Sequence, residues 1–277
     1  MKATLTILIA LVVLLTGSCS NYQKTLKNPD LNKKYELAQY YYNKKDYYRA
    51  VTLFEQLQDN FNGTAMAEKV LYYSAYCNYA LKNFPLAGFQ FKAYFENYPT
   101  GQWAEESLYM TSYCMYLESQ PAYLDQTDTH KAIESINMFV TVYPDSKYVA
   151  ECNTLLDKLR NKLSQKAYKE ARLYYDIEEY KSAIVALQNV VRDYPEIAQK
   201  EELDYLSVKS HYLLAQNSIE EKKTERYQTA IQVAMIFCEE NPDSKFVQEV
   251  KGFVSKSENA LKNMEADRKE KLTFKNE

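Results

Sequence analysis

The sequence predicts an all-α solenoid of five helical hairpins in tandem, closed by a long C-terminal capping helix. Three observations carry this. Glycine is scarce at five and proline at seven in 277 residues, too few for a chain of strands and tight turns. The stretch Leu71-Tyr72-Tyr73-Ser74-Ala75-Tyr76-Cys77-Asn78-Tyr79 recurs 37 residues later as Leu108–Tyr116, and 37 residues earlier as Lys34–Tyr42. A small residue marks the crossing point of each first helix (Ala38, Ala75, Ser112, Ala171, Ala215). Another marks each second helix (Ala50, Ala87, Ala132, Ala183, Ala230), and small residues let neighbouring helices approach closely.

The chain begins with a separate segment. Lys2, the apolar run Ala3–Leu15 and Thr16-Gly17-Ser18-Cys19 read as residues 1–18 of a signal peptide, too short to span a bilayer. Small residues directly before a cysteine resemble a bacterial lipobox. That resemblance implies cleavage before Cys19, acylation of Cys19 and stable anchoring by several acyl chains. An ordinary signal peptide with an incidental cysteine, or a buried helix, is the plainer alternative. Ser20 and Asn21 follow with no acidic residue, which resembles an outer-membrane sorting signal with the domain in the periplasm. Residues 19–32, with Lys24, Lys27 and Pro29, read as a lipidated tether.

Helical periodicity starts near Lys33. Residues 33–146 hold repeats one to three, and residues 147–277 hold repeats four and five with the terminal helix. Pro99, Pro144, Pro195 and Pro242 each stand twelve residues after the second small residue and end a helix. The first repeat uses Asn62-Gly63 instead. Ala132 and Ala171 lie 39 apart where Ala50 and Ala75 lie 25 apart, an excess of about four helical turns. Ala183 and Ala215 lie 32 apart, an excess of about two turns. These spacings predict long helices over Lys147–Asp176 and Lys200–Glu221. An insertion around Gln120–Leu124 predicts a loop, and a last helix is expected over Lys245–Lys271. These marks resemble the tetratricopeptide repeat: Leu37-Ala38, Tyr41, Ala50 and Phe54 in the first unit, Ala75, Ala87, Phe91 and Pro99 in the second.

The residue inventory argues against catalysis. His130 and His211 have no nucleophile or metal partner at a recognisable spacing, and no phosphate-binding glycine loop exists. Carboxylates such as Glu201-Glu202 and Glu220-Glu221 read as solvated faces. Cys77, Cys114, Cys152 and Cys238 lack metal spacing and read as buried packing thiols, with a Cys77–Cys114 disulfide left open. Mixed charge and a pI near 5.7 give no nucleic-acid footprint. Neither cofactor nor metal is expected.

What remains is an aromatic face. Tyr35, Tyr72, Tyr109, Tyr168 and Tyr212 lie three residues before the small crossing position. Tyr42, Tyr79, Tyr116 and Tyr175 lie four after it, and Tyr76 and Tyr113 one after it, where the fourth repeat has Arg172. First helices line the concave side of helical solenoids, so these twelve residues form a candidate peptide-binding groove. Tyrosine offers apolar area with a polar tip at low rotamer entropy. The alternative is that they pack between repeats, the reading favoured for Trp103.

Asp46-Tyr47, Ala50 and Phe54, together with Tyr143-Pro144-Asp145-Ser146, Tyr194-Pro195 and Asn241-Pro242-Asp243-Ser244, resemble the BamD family of outer-membrane protein assembly lipoproteins. The resemblance implies a partner like the BamA barrel protein, other assembly-complex subunits, and unfolded outer-membrane proteins as substrates. The N-terminal repeats would recognise substrate and the C-terminal repeats would dock on the barrel protein's periplasmic domains. A scaffold for other envelope or cell-wall machinery is the alternative.

Overall fold

The structure is a computed structural model that describes residues 22–58, 60–61 and 64–275. The signal segment, Cys19 and the Asn62-Gly63 turn lie outside the described residues. After a short helical stretch at residues 22–26 come α1 (Leu31–Asn43), α2 (Tyr47–Gln58), α3 (Ala65–Ala80), α4 (Phe84–Asn97), α5 (Ala104–Glu118) and α6 (Thr127–Val142). They are followed by α7 (Val149–Asp176), α8 (Tyr180–Asp193), α9 (Lys200–Gln216), α10 (Glu220–Glu240) and α11 (Val247–Lys275). No strand occurs among the described residues. Helices pair as hairpins, α1 with α2, α3 with α4, α5 with α6 and α9 with α10, and α11 covers the last one. Ala171 near the end of α7 shares a core with Ala183 and Leu187 of α8. This is a tetratricopeptide-type hairpin array.

Local chemistry sets the helix ends. Asp30 caps α1, its carboxylate accepting from the Asn32 and Lys33 amides at 3.1 and 3.2 Å. Thr64 caps α3 in the same way. Pro85 occupies the first turn of α4, where a missing N–H costs nothing. Lys45, Lys82 and Glu178 carry φ of 60°, 61° and 64°. Their amides bond the carbonyls of Tyr42, Tyr79 and Tyr175, so repeats one, two and four turn by one left-handed residue. Repeat three replaces this turn with the loop 119–126. There Gln126 Nε2 donates to the Pro121 and Leu124 carbonyls at 2.8 and 3.0 Å.

All ten small crossing residues are buried. The 28-residue α7 realises the four-turn insertion. The expected helix to Glu221 is shorter, because α9 stops at Gln216. The Asn217 amide bonds the Leu213 and Ala215 carbonyls, and Ile219 is already the extended cap of α10.

The chain divides into two compact units, one up to Leu159 and one from Arg160, with the division inside α7. The first unit packs around Leu53, Phe54, Leu57 and Val70, and around Phe91, Tyr94, Ile136, Phe139 and Leu159. The second packs around Leu187, Leu203, Leu206, Phe237 and Val250.

Candidate functional site: an aromatic strip on the first helices

In the first unit, Tyr72 and Tyr109 are buried, each about 6% exposed. Tyr72 lies flat on Trp103 at 4.5 Å, and Tyr109 on Tyr148 at 4.2 Å. Both rings therefore pack one first helix against the start of the next. Trp103, read as a packing residue, is the platform for the first pair. Tyr76, Tyr79, Tyr113 and Tyr116 are half-buried and run on as a strip. Centroid separations are 6.2 Å from Tyr76 to Tyr79, 6.2 Å from Tyr79 to Tyr113 and 6.0 Å from Tyr113 to Tyr116. Tyr35 and Tyr42 are half-buried on α1. Tyr35 meets Phe54 edge-on and accepts from Gln39 at 2.6 Å. Tyr42 sits between Tyr47 and Tyr73.

The second unit carries its own set. The Arg172 guanidinium donates to the Tyr168 hydroxyl at 2.9 Å and to Glu202 at 2.7 Å, and Asp176 lies 3.7 Å away. Tyr175 is tilted against Tyr180, and Tyr212 stacks on Phe253 at 4.9 Å. Seven residues before Tyr212, Tyr205 stacks on Phe246, itself seven before Phe253, at 4.0 Å. The two-turn insertion therefore doubles the stacking step. Tyr205 is the counterpart of Tyr72 and Tyr109, a role that counting back from Ala215 misses.

Each of the four repeat-ending prolines is followed, seven residues later, by a glutamate: Glu106, Glu151, Glu202 and Glu249. Glu106 accepts from the Tyr72 and Tyr76 hydroxyls at 2.9 and 2.6 Å. Glu151 stands beside the Tyr109 hydroxyl and favours its neutral form. Glu202 takes Arg172, and Glu249 accepts from Lys209 at 3.2 Å. The preceding glutamate, where present, ties to the next turn: Ser146 donates to Glu105 and Ser244 to Glu201, both at 2.6 Å. The findable signal was in the spacing, since Trp103, Tyr148 and Phe246 all stand four residues after a proline.

These carboxylates fix ring orientation and protonation. Burial, then the Glu106 carboxylate, pushes the Tyr76 hydroxyl above its ordinary value. Burial, then Tyr76 and Glu106, does the same for Tyr72, and burial with Glu151 does so for Tyr109. All three remain neutral, and within the strip the Tyr76 hydroxyl is held by Glu106.

Cys77, Cys114, Cys152 and Cys238 are free, the first three buried. His130 is exposed within α6. His211 is half-buried within α9, its Nε2 lacking a partner. Among the described residues no three His, Cys, Asp or Glu side chains gather as metal ligands.

A family model described as an outer membrane lipoprotein, YfiO, matches residues 28–225. Comparison with curated proteins finds no match. Among solved structures, the TPR2AB-domain:pHSP90-complex of yeast Sti1 is similar with a TM-score of 0.38 and 11% identity, covering 82% of this chain and 98% of that chain. No helix among the described residues is long and apolar enough to cross a membrane.

Proposed function

Because the chain belongs to the YfiO outer membrane lipoprotein family, we propose that it is a scaffold of the β-barrel assembly machinery, anchored through Cys19 on the periplasmic face of the outer membrane. It binds unfolded outer-membrane proteins on its first unit and a BamA-like barrel subunit through its second. The observation that carries this reading is the half-buried strip Tyr76, Tyr79, Tyr113 and Tyr116. Strand segments of unfolded barrel proteins bring aromatic and apolar side chains. A strip of ring faces held by packing accepts such side chains at low entropic cost.

Tyr72 and Tyr109 act beneath the strip by holding it. Tyr35 and Tyr42 extend it toward the first hairpin. In the second unit, Tyr168, Arg172 and Tyr175 supply a more charged surface, with Arg172 the exposed cation, and Tyr212 stands on the inserted turns. With Glu202 and Asp176 beside Arg172, that surface offers charges of both signs to a folded partner domain. The function is binding throughout, with no chemical step.

Crosslinking followed by affinity purification from membranes tests the identity of the partners. A photoreactive residue at Tyr113 should capture barrel-protein segments, and one at Arg172 should capture a barrel subunit carrying periplasmic domains. Recovery of cell-wall enzymes in their place would assign the chain to other envelope machinery. Palmitate incorporation that disappears in Cys19→Ala tests the anchor separately.

A further inference from the structure

The first hairpin ends in an uncovered aromatic and basic cap. Tyr22, the first described residue, meets Tyr41 edge-on at 5.6 Å. The Arg49 guanidinium lies 5.6 Å from the Tyr22 ring and 5.5 Å from the Tyr41 ring, and is paired with Asp46 at 2.8 Å. Tyr40 packs against Tyr41 at 5.5 Å with Lys44 above it. Although these groups order one another, Tyr40 stays 54% exposed and the neighbouring Tyr48 72% exposed. Lys44 and Lys45 project from the same turn. The corresponding turn of the second repeat adds Leu81, 42% exposed, and Lys82.

Two facts identify what covers this cap. The first is chain length. Two residues separate Cys19 from Tyr22, so the backbone that carries a lipid on Cys19 lies within about 11 Å of the Tyr22 backbone. The second is charge. Residues 22–50 hold seven Lys and Arg against three Asp and Glu, in a chain whose formal net charge is −3. Tyrosines of this kind settle at headgroup level, where the ring is apolar and the hydroxyl wet. Lysine and arginine reach from there to lipid phosphates.

Resting on the reading of Cys19 as the lipidated residue, we propose that the α1–α2 turn seats directly on an anionic bilayer surface. Tyr40 and Tyr48 sit at the headgroups, and Lys44 and Lys45 face lipid phosphates. The lipid and the cap then act as two signals in one anchor. Seated this way, the first hairpin has a defined orientation at the membrane.

The test uses the full mature chain without its lipid (Cys19→Ser), so its result is independent of palmitate labelling. Sedimentation with vesicles of phosphatidylethanolamine and phosphatidylglycerol should show salt-sensitive binding, absent with phosphatidylcholine alone. The variant Tyr40→Ser/Lys44→Glu/Lys45→Glu/Tyr48→Ser, with an unchanged circular dichroism spectrum, should lose about ten-fold in partitioning. As a second readout, a Tyr48→Trp reporter in the lipidated Trp103→Phe protein should be quenched by brominated phospholipid, and a Met138→Trp reporter should not. Equal partitioning of parent and variant, or an unquenched Tyr48→Trp, overturns the proposal. The second result would leave the cap to a protein partner.

Discussion

Tyr109 lies flat against Tyr148, ring centroids 4.2 Å apart and planes 8° from parallel, joining α5 to α7. Tyr72 on Trp103 and Tyr205 on Phe246 repeat the arrangement. In each pair the second ring stands four residues after a proline that ends the previous hairpin. Stacking between consecutive first helices is therefore a unit of this fold. Tyr109→Ala should lower the unfolding free energy by about 3 kcal/mol, as large-to-small changes in a core do. Tyr113→Ala, at a half-buried position on the strip, should cost about 1 kcal/mol. Urea unfolding of the two variants measures the difference.

Glu106 gathers two tyrosine hydroxyls, while Glu105 receives one serine. Glu106→Gln should destabilise by about 1–2 kcal/mol, because two hydroxyls lose an ionised acceptor. Glu105→Gln should cost less than about 1 kcal/mol. Thermal melts of the pair distinguish the two roles.

Gly101 stands where later repeats have Ser146 and Ser244. A Cβ there would come within 2.6 Å of a Glu68 carboxylate oxygen and 3.0 Å of the Tyr98 carbonyl. The same Glu68 oxygen already accepts from Tyr94 and the Gln102 amide. Gly101→Ala should therefore cost about 1–3 kcal/mol by overpacking, and Gly252→Ala, with open space around its Cβ, should not. Comparative denaturation checks this.

Alkaline pH should unfold the protein in a defined direction. Burial pushes the Cys77 and Cys114 thiols from an ordinary 9.0 up to about 12. The unfolded chain releases these protons first. Stability is thus full below pH 9 and declines toward pH 12, by about 1.4 kcal/mol per pH unit for each thiol. Tyr72, Tyr76 and Tyr109, also raised chiefly by burial, deepen the decline above pH 10. Melting temperatures taken from about pH 8 to about pH 11 should fall progressively, and less steeply in Cys77→Ala/Cys114→Ala.

The repeat phase was legible because small residues at helix crossings and prolines at helix ends obey fixed spacings. Ala38, Ala75 and Ala87 mark burial directly, since a larger side chain there would separate the helices. The end of α9 was not legible. A two-turn insertion keeps the apolar face in register, and Asn217-Ser218 is a weaker stop than proline. The division of the tyrosines was also hidden. Tyr72 and Tyr76 differ by one helical turn, and only the Trp103 ring arriving from the next repeat covers one and leaves the other half open. Glu106 stayed hidden for the same reason, as its partners lie 34 and 30 residues away.

Peptide binding to the strip is the most direct measurement. A strand-like peptide of alternating aromatic and polar residues, titrated against the protein and read by Trp103 fluorescence, should bind the parent. Tyr76→Ser/Tyr79→Ser/Tyr113→Ser/Tyr116→Ser should bind about ten-fold or more weakly while keeping its helical spectrum and a cooperative melt. Unchanged affinity in that folded variant would contradict the assignment of the tyrosine strip as the binding surface.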